Sequence, residues 1–336
     1  MSIFDFNKTL SQSTDALKSL SALNPLTIRK KGTRAKAIFA LSLVCILWGT
    51  TWLASKQGVK YIPDGLQMAG IRQLLGGICY VSFFLYKRIP LPKGKEWIPI
   101  IVLSFLNFMI SNGLSTVALQ YKISAGLGAI IGAIFPLWLV VIGLFMPKGK
   151  IPVLAIVGLL LGFGGVCVIF YEHFDEFFDS QFRWGILLSF IATWTWAIAT
   201  LYTKRQAVRF NPYFGLGLQM VISGIVLYSF SSATGRAVPL TEIPWQSWTA
   251  IAYLVVFGSL IAFVCYLYAL QNLPTEQASI YAYINPIVAV VLGSIIFDEK
   301  LTVYLAIGGL VTLLGVFLVN KAYKITSAEQ PETEGV

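Results

Sequence analysis

Trp48, Trp52 and Lys56 follow one another at i, i+4 and i+8, so a helix through them carries two indoles and a cation on one face. At offset 148, Trp196, Thr200 and Lys204 repeat the three points, with Trp194 beside them. Trp commonly marks a membrane boundary, a reading that suits Trp97, Trp184, Trp245 and Trp248. Trp48 and Trp52 sit deeper in their hydrophobic stretch, which leaves cavity lining or helix packing. Arg72 is the one basic side chain well inside such a stretch, and a central arginine costs about 2.5–3.5 kcal/mol or more on insertion scales. Two readings offset that cost: an anion-binding or gating cation, or a structural guanidinium that satisfies backbone carbonyls or pairs with a carboxylate such as Glu299. Asn112 and Asn285 add amides at similar depth, as does Asn107, with interhelical hydrogen bonding as the alternative use.

These groups bind; they do not make or break bonds. The sequence has no HExxH for a metalloprotease, no GxSxG elbow and no pair of aspartates at membrane depth. Cys45, Cys79, Cys167 and Cys265 lie singly in apolar stretches without metal-ligand spacing, and the lone His173 stands among acids. Neither a cofactor nor a metal is expected, and the chain is not read as an enzyme.

The elements that carry these side chains are membrane helices. Hydrophobic residues make up 57% of the chain, charged residues only 12%, and mean hydropathy is +0.75, far from a soluble protein with about 25% charged residues. Spans of about 20 apolar residues read at roughly 37–57, 64–86, 97–119, 124–146, 152–171, 183–203, 212–232, 246–270, 276–297 and 301–322. The fold class expected is therefore an all-α integral membrane protein of ten helices.

Residues 118–170 and 269–320 are the same segment written twice. Pro136, Lys150, Gly158 and Gly165 match Pro286, Lys300, Gly308 and Gly315 at a constant offset of 150, and Ala118-Leu119-Gln120 matches Ala269-Leu270-Gln271 at 151. Two five-span repeats follow, 36–171 and 183–323, and an odd number of spans turns the second upside down relative to the first. Pro136 and Pro286 each remove a backbone donor at matching places, so both are expected to break their helices and free backbone acceptors near a transport site. Tyr281 and Tyr283 face opposite sides of their helix, and Tyr283 is assigned to the cavity. Small-residue rows, Gly128 and Gly132 in the fourth span and Gly158, Gly162 and Gly165 in the fifth, read as close-packing scaffold.

With the N terminus inside, 18 of the 25 Lys and Arg residues fall in cytoplasmic segments, while Glu172, Asp175, Glu176 and Asp179 fall outside. Both termini are placed in the cytoplasm, residues 1–35 as a polar tail and 324–336 as an acidic, disordered one. The +10 net charge is thus a topology signal, with no stripe for a nucleic acid. Lipid and a small-molecule substrate are the partners. Acids occur only near span ends, at Glu276 and Glu299, which disfavours a proton antiporter relative to an exchanger or facilitator.

Trp48-Gly49, Arg72, and the run Tyr283-Ile284-Asn285-Pro286, Gly293, Phe297-Asp298-Glu299-Lys300-Leu301-Thr302, Gly308 and Gly315 together resemble the bacterial EamA-type transporters of the drug/metabolite transporter superfamily. The likeness covers about 36–323, with Asp298 where glycine is common and no acid in Met146-Pro147-Lys148-Gly149-Lys150 to match Glu299. It implies two inverted EamA repeats in a cytoplasmic (inner) membrane, and a central cavity built from spans one, three, four, six, eight and nine. It also implies movement of small metabolites, often export, the class ranging over amino acids, nucleosides, sugars and drugs. The site residues assigned to that cavity are Trp48, Trp52, Asn112, Trp196, Tyr283 and Asn285, with Arg72 as a cation able to read charge. A non-transporting sensor, channel or scaffold is the alternative.

Overall fold

The computed structural model describes residues 34–145, 151–206, 211–273 and 281–329. Among these the chain is helical, without a strand. Helix α1 is Arg34–Val59 and α2 is Gly65–Tyr86. Helix α3 runs through Trp97–Leu103, a π-helical stretch Ser104–Asn112, and Gly113–Ala118. Helix α4 comprises Ala125–Ala133 and Phe135–Leu144, and α5 is Val153–Glu172. Helices α6 and α7 are Ser180–Gln206 and Pro212–Ala233. Helix α8 runs through Trp245–Tyr253, a second π-helical stretch Leu254–Ile261, and Ala262–Asn272. Helix α9 is Tyr281–Ile296 and α10 is Val303–Glu329.

Among the described residues, nine of these helices are long and apolar enough to cross a membrane, and α9, at 16 residues, is shorter. The sequence places the start of that span at 276, outside the described residues. Starts elsewhere are fixed by side-chain caps: Asp64 accepts the Leu66 amide, Ser124 the Leu127 amide, and Asn211 the Tyr213 and Phe214 amides ahead of Pro212. Most of the N-terminal tail lies outside the described residues. At the other end, α10 continues past Lys324, where a disordered tail is expected from composition, to Glu329. Strong helix formers such as Ala328 and Glu329 let the helix continue beyond its apolar stretch.

Equivalent helices of the two repeats pack on each other. Helix α5 lies along α10 so closely that a Cβ on Gly165 would sit 2.5 Å from the Gly308 carbonyl oxygen, and Thr312 donates to the Gly162 carbonyl at 3.3 Å. Helix α2 lies along α7 in the same way, with Gly70 and Gly77 against Gly224 and Gly217. Without Cβ atoms in the way, backbones approach until dispersion contacts replace those lost to lipid.

The two π-helical stretches begin 150 positions apart, the offset of the sequence repeat. Each widens its helix by one residue per turn and re-aims the side chains that follow, a feature common at functional sites. Pro136 accompanies a real break: α4 is interrupted at Ile134, whose carbonyl accepts the amides of both Leu137 and Trp138. Pro286 behaves differently from its expectation. It lies inside a continuous α9, because only one intrahelical bond is lost there, and the Asn285 amide, with its nitrogen turned inward, donates to the carbonyls of Tyr281 at 3.0 Å and Cys45 at 2.8 Å.

Candidate functional site

A cavity of about 200 Å³ lies where helices of both repeats meet. Its walls come from α1, α2, α3 and α4 on one side and α6, α8 and α9 on the other. Trp48, Thr51, Trp52 and Ser55 line it from α1, at the spacing that puts them on one helical face. The first π-helical stretch contributes Phe108, Ser111 and Asn112, with Ser115 and Thr116 continuing the row. Trp196 and Thr193 face it from α6, and Phe263 from α8. Tyr281, Ala282, Asn285 and Pro286 close it from α9.

Of the residues singled out in the sequence, Trp48, Trp52, Arg72, Asn112, Trp196, Asn285 and Pro286 therefore come together around one space. Tyr283 does not. Its ring packs toward Phe317 at 6.3 Å and its hydroxyl meets Asn320, both on α10. Two positions along a helix turn a side chain by about 200°, so Tyr281 faces inward and Tyr283 is committed to the helix interface. Pro136 and Asn107 are also not among the lining residues.

One part of the cavity wall is aromatic. The Trp48 ring meets Phe263 at 5.1 Å, Tyr266 at 5.1 Å and Tyr281 at 5.0 Å, and its indole N–H donates to the Gly258 carbonyl at 3.1 Å in the second π-helical stretch. Trp52 has a double role. It lines the cavity, but its ring fills the space above Gly132 and Gly128, where added Cβ atoms would come within 2.7 and 3.0 Å of it. Among the described residues the Trp196 indole has no hydrogen-bond partner and fills no such groove.

Another part of the wall is polar, and Gly258 adjoins both. Arg72 is 9% exposed and is the one charged residue in the lining. Gly258 leaves room for it: a Cβ there would stand 3.3 Å from the guanidinium and 2.8 Å from the Thr51 methyl. Among the described residues no carboxylate pairs with Arg72, and its Nε is buried without a hydrogen-bond partner. Beside it, Gln73 donates to Asn112 Oδ1 at 2.8 Å.

Glu299, the carboxylate with which Arg72 could have paired, is used elsewhere. It accepts the amides of Ala125 at 2.7 Å and Gly126 at 3.2 Å, at the first turn of α4. Lys56 likewise leaves the indole face. Its long stem carries the ammonium to the carbonyls of Leu119, Tyr121 and Ile123, at 2.8, 3.3 and 2.6 Å, beyond the end of α3. Neither group is on the cavity wall. Sequence spacing puts Lys56 on the correct face but says nothing of how far its stem travels.

With this arrangement in view, the comparisons with known proteins are specific. The chain matches the EamA-like transporter family twice, over residues 35–171 and 183–321. It belongs to that family. A relative in Escherichia coli K12, described as an uncharacterized inner membrane transporter, YedA, is 32% identical over 288 residues, 84% of this chain and 89% of its own length. An uncharacterized transporter of Archaeoglobus fulgidus is 27% identical over 290 residues, covering 85% and 98%. A WAT1-related chloroplastic protein of Arabidopsis thaliana is 27% identical over 279 residues, covering 81% and 66%. A solved structure superposes with a TM-score of 0.60 at 17% identity, over 85% of this chain and 98% of that one, a likeness of fold. The EamA assignment makes the chain a multi-pass membrane protein of a transporter family, and Trp48, Arg72 and Asn285 lie within its two matched segments.

Proposed function

We propose that this EamA protein is a secondary carrier that moves small organic metabolites out across the cytoplasmic membrane by alternating access. Ten spans form two inverted repeats, 36–171 and 183–323, with both termini in the cytoplasm. The observation that carries this reading is the position of the cavity: walls from both matched segments surround one aromatic and polar space, so a movement of one repeat against the other changes its access. Its size is below the ~300–1,000 Å³ of pockets that hold drug-sized molecules, which favours a metabolite. Three Trp residues supply stacking surface, while Arg72 and Asn112 favour an organic anion, amino acids included, over a neutral drug. Trp48, Trp52, Trp196, Arg72, Asn112 and Asn285 are the residues assigned to substrate.

Among the described residues no carboxylate lines the cavity. An exchanger or facilitator is therefore preferred over a proton antiporter, which needs a titratable group on the pathway.

Counterflow of radiolabelled metabolites in proteoliposomes tests the reading. Accumulation driven by internal unlabelled solute is expected; flux that follows an imposed pH gradient at fixed voltage would replace exchange with proton coupling. Single-channel conductance would mark a pore, and failure of every solute a sensor or scaffold. Cysteine labels at Glu176 and Arg236 should react from outside intact cells, and labels at Lys93 only after permeabilisation; the reverse pattern would invert the topology.

A further inference from the structure

We infer that the cavity selects small monocarboxylates, net anions without a compensating ammonium, and holds their carboxylate between Arg72 and Asn112. The inference narrows the substrate of the carrier proposed above and rests on that reading for transport, though not for binding.

The charge count of the cavity is its basis. Arg72 is buried, and among the described residues it is the one charged residue in the lining and its Nε has no partner. A guanidinium withdrawn from water without a counter-ion is unfavourable, and a ligand carboxylate relieves that in the two-pronged geometry that arginine offers. Neighbouring groups are donors as well. Gln73 Nε2 occupies Asn112 Oδ1 at 2.8 Å, which leaves the Asn112 amide hydrogens for a ligand, and the Ser111 and Ser115 hydroxyls stand in the same wall. Donors thus line the space from both α2 and α3, as recognition of an anion requires.

An α-ammonium finds no equivalent. Among the described residues no carboxylate faces the cavity, so a bound zwitterion would leave it with one net positive charge in a site largely removed from water. Cation–π attraction is a weak substitute for an ion pair: the Trp48 ring is already contacted by Phe263, Tyr266 and Tyr281, and an indole such as Trp196 attracts a cation less than a carboxylate does. The acceptors that α9 offers are the Ala282 carbonyl, whose helical donor is missing at Pro286, and the Asn285 amide oxygen. A neutral carbonyl suits a hydroxyl or an uncharged N–H better than an ammonium with three protons to place. The aromatic part of the wall then takes an apolar body.

Four probes that share a phenyl ring and differ in charge test the point: 3-phenylpropanoate, 3-phenyllactate, L-phenylalanine and 2-phenylethylamine. Binding to the purified full-length protein is read by calorimetry and by quenching of intrinsic tryptophan fluorescence. Both net anions should bind, phenylalanine at least tenfold more weakly, and the amine not at all. Arg72→Gln should erase the preference for anions, Arg72→Lys should keep part of it, and Asn112→Ala should weaken both carboxylates about tenfold. If Arg72→Gln does not fold, the wild-type ranking and Asn112→Ala still decide. Phenylalanine binding as tightly as 3-phenylpropanoate, or no binding by either carboxylate, would overturn the inference. Counterflow separates the two claims. Carboxylate binding without counterflow of any solute removes the carrier and leaves the site. Counterflow of the carboxylates at unchanged rate in Arg72→Gln removes the site and leaves the carrier.

Discussion

Glu299 accepts the backbone amide of Ala125 at 2.7 Å across 174 residues of sequence, tying the second matched segment to the first turn of a helix in the other. Lys56 holds the preceding stretch of the same connection through the Leu119 and Ile123 carbonyls. The carboxylate sits where a helix N-terminus favours negative charge and the ammonium where a helix C-terminus favours positive. Hydrogen bonds to charged groups contribute about 1.5–3 kcal/mol, so Glu299→Ala should lower the thermal midpoint in detergent by several degrees, and Glu299→Gln by less. An unchanged midpoint in both would mean that the contact contributes nothing.

Asp298, the residue before it, has φ of +52°, the left-handed region in which glycine is at ease. Asp is among the few other residues that tolerate it. Replacement by Gly should therefore stabilise the turn, by up to about 1 kcal/mol, whereas Asp298→Val should destabilise it. Equal stability of the two variants would contradict the assignment of strain.

That turn marks how far the sequence could be read. The departure from glycine at 298 was visible as a departure, and the positive φ is its structural counterpart. The face formed by Trp48 and Trp52, the depth of Arg72 and the glycine rows of α5 were also legible, because helical spacing fixes which residues share a side. What spacing leaves open is the absolute phase of a helix. Spacing separates Tyr281 from Tyr283, but the assignment of Tyr283 to the cavity is reversed by its packing against α10. The π-helical stretches at Ser104–Asn112 and Leu254–Ile261 left no pattern to read. One extra residue per turn is imposed by neighbours, as where Trp48 claims the Gly258 carbonyl.

Close approach of α5 and α10 gives a sharper mutational contrast. A methyl group at Gly165 would lie 2.5 Å from the Gly308 oxygen and 2.5 Å from the Thr312 nitrogen, backbone atoms that cannot rotate away. Gly164, its neighbour, has nothing within 4 Å of the same position. Gly165→Ala should reduce folded protein in the membrane, overpacking of this kind costing about 1–3 kcal/mol, while Gly164→Ala should be silent. Similar abundance of the two variants would remove the tight interface.

Outside the helices, Lys122 and Asp179 form a solvent-exposed ion pair. The hydrogen bond from Lys122, and then the Gln181 amide, hold the Asp179 carboxyl below its ordinary value of 3.8. Its contribution is therefore present above that value and lost as pH falls through the lowered one. An exposed pair is also screened by salt. Asp179→Asn should shift the thermal midpoint slightly at neutral pH and low salt, and the difference from wild type should vanish both in acid and at high ionic strength. A gap that persists in acid would point to a role other than charge.

Trp52 and Trp196 separate packing from lining at the cavity itself. Spacing leaves Trp52 open to cavity lining or helix packing, and its ring does both, filling the groove left by Gly128 and Gly132. Trp52→Ala opens a void in the packed region between α1 and α4, for which large-to-small changes cost about 3–5 kcal/mol. It should lower abundance and transport together. Trp196 faces the cavity without a wedge or a hydrogen bond, so Trp196→Ala should leave abundance within about twofold of wild type while reducing transport per molecule by tenfold or more, a loss of about 1.4 kcal/mol of stacking. Quantitative blotting alongside counterflow gives both numbers from one preparation. Normal transport per molecule in Trp196→Ala would take that indole out of the substrate site, and full abundance of Trp52→Ala would show that the groove closes around the smaller side chain.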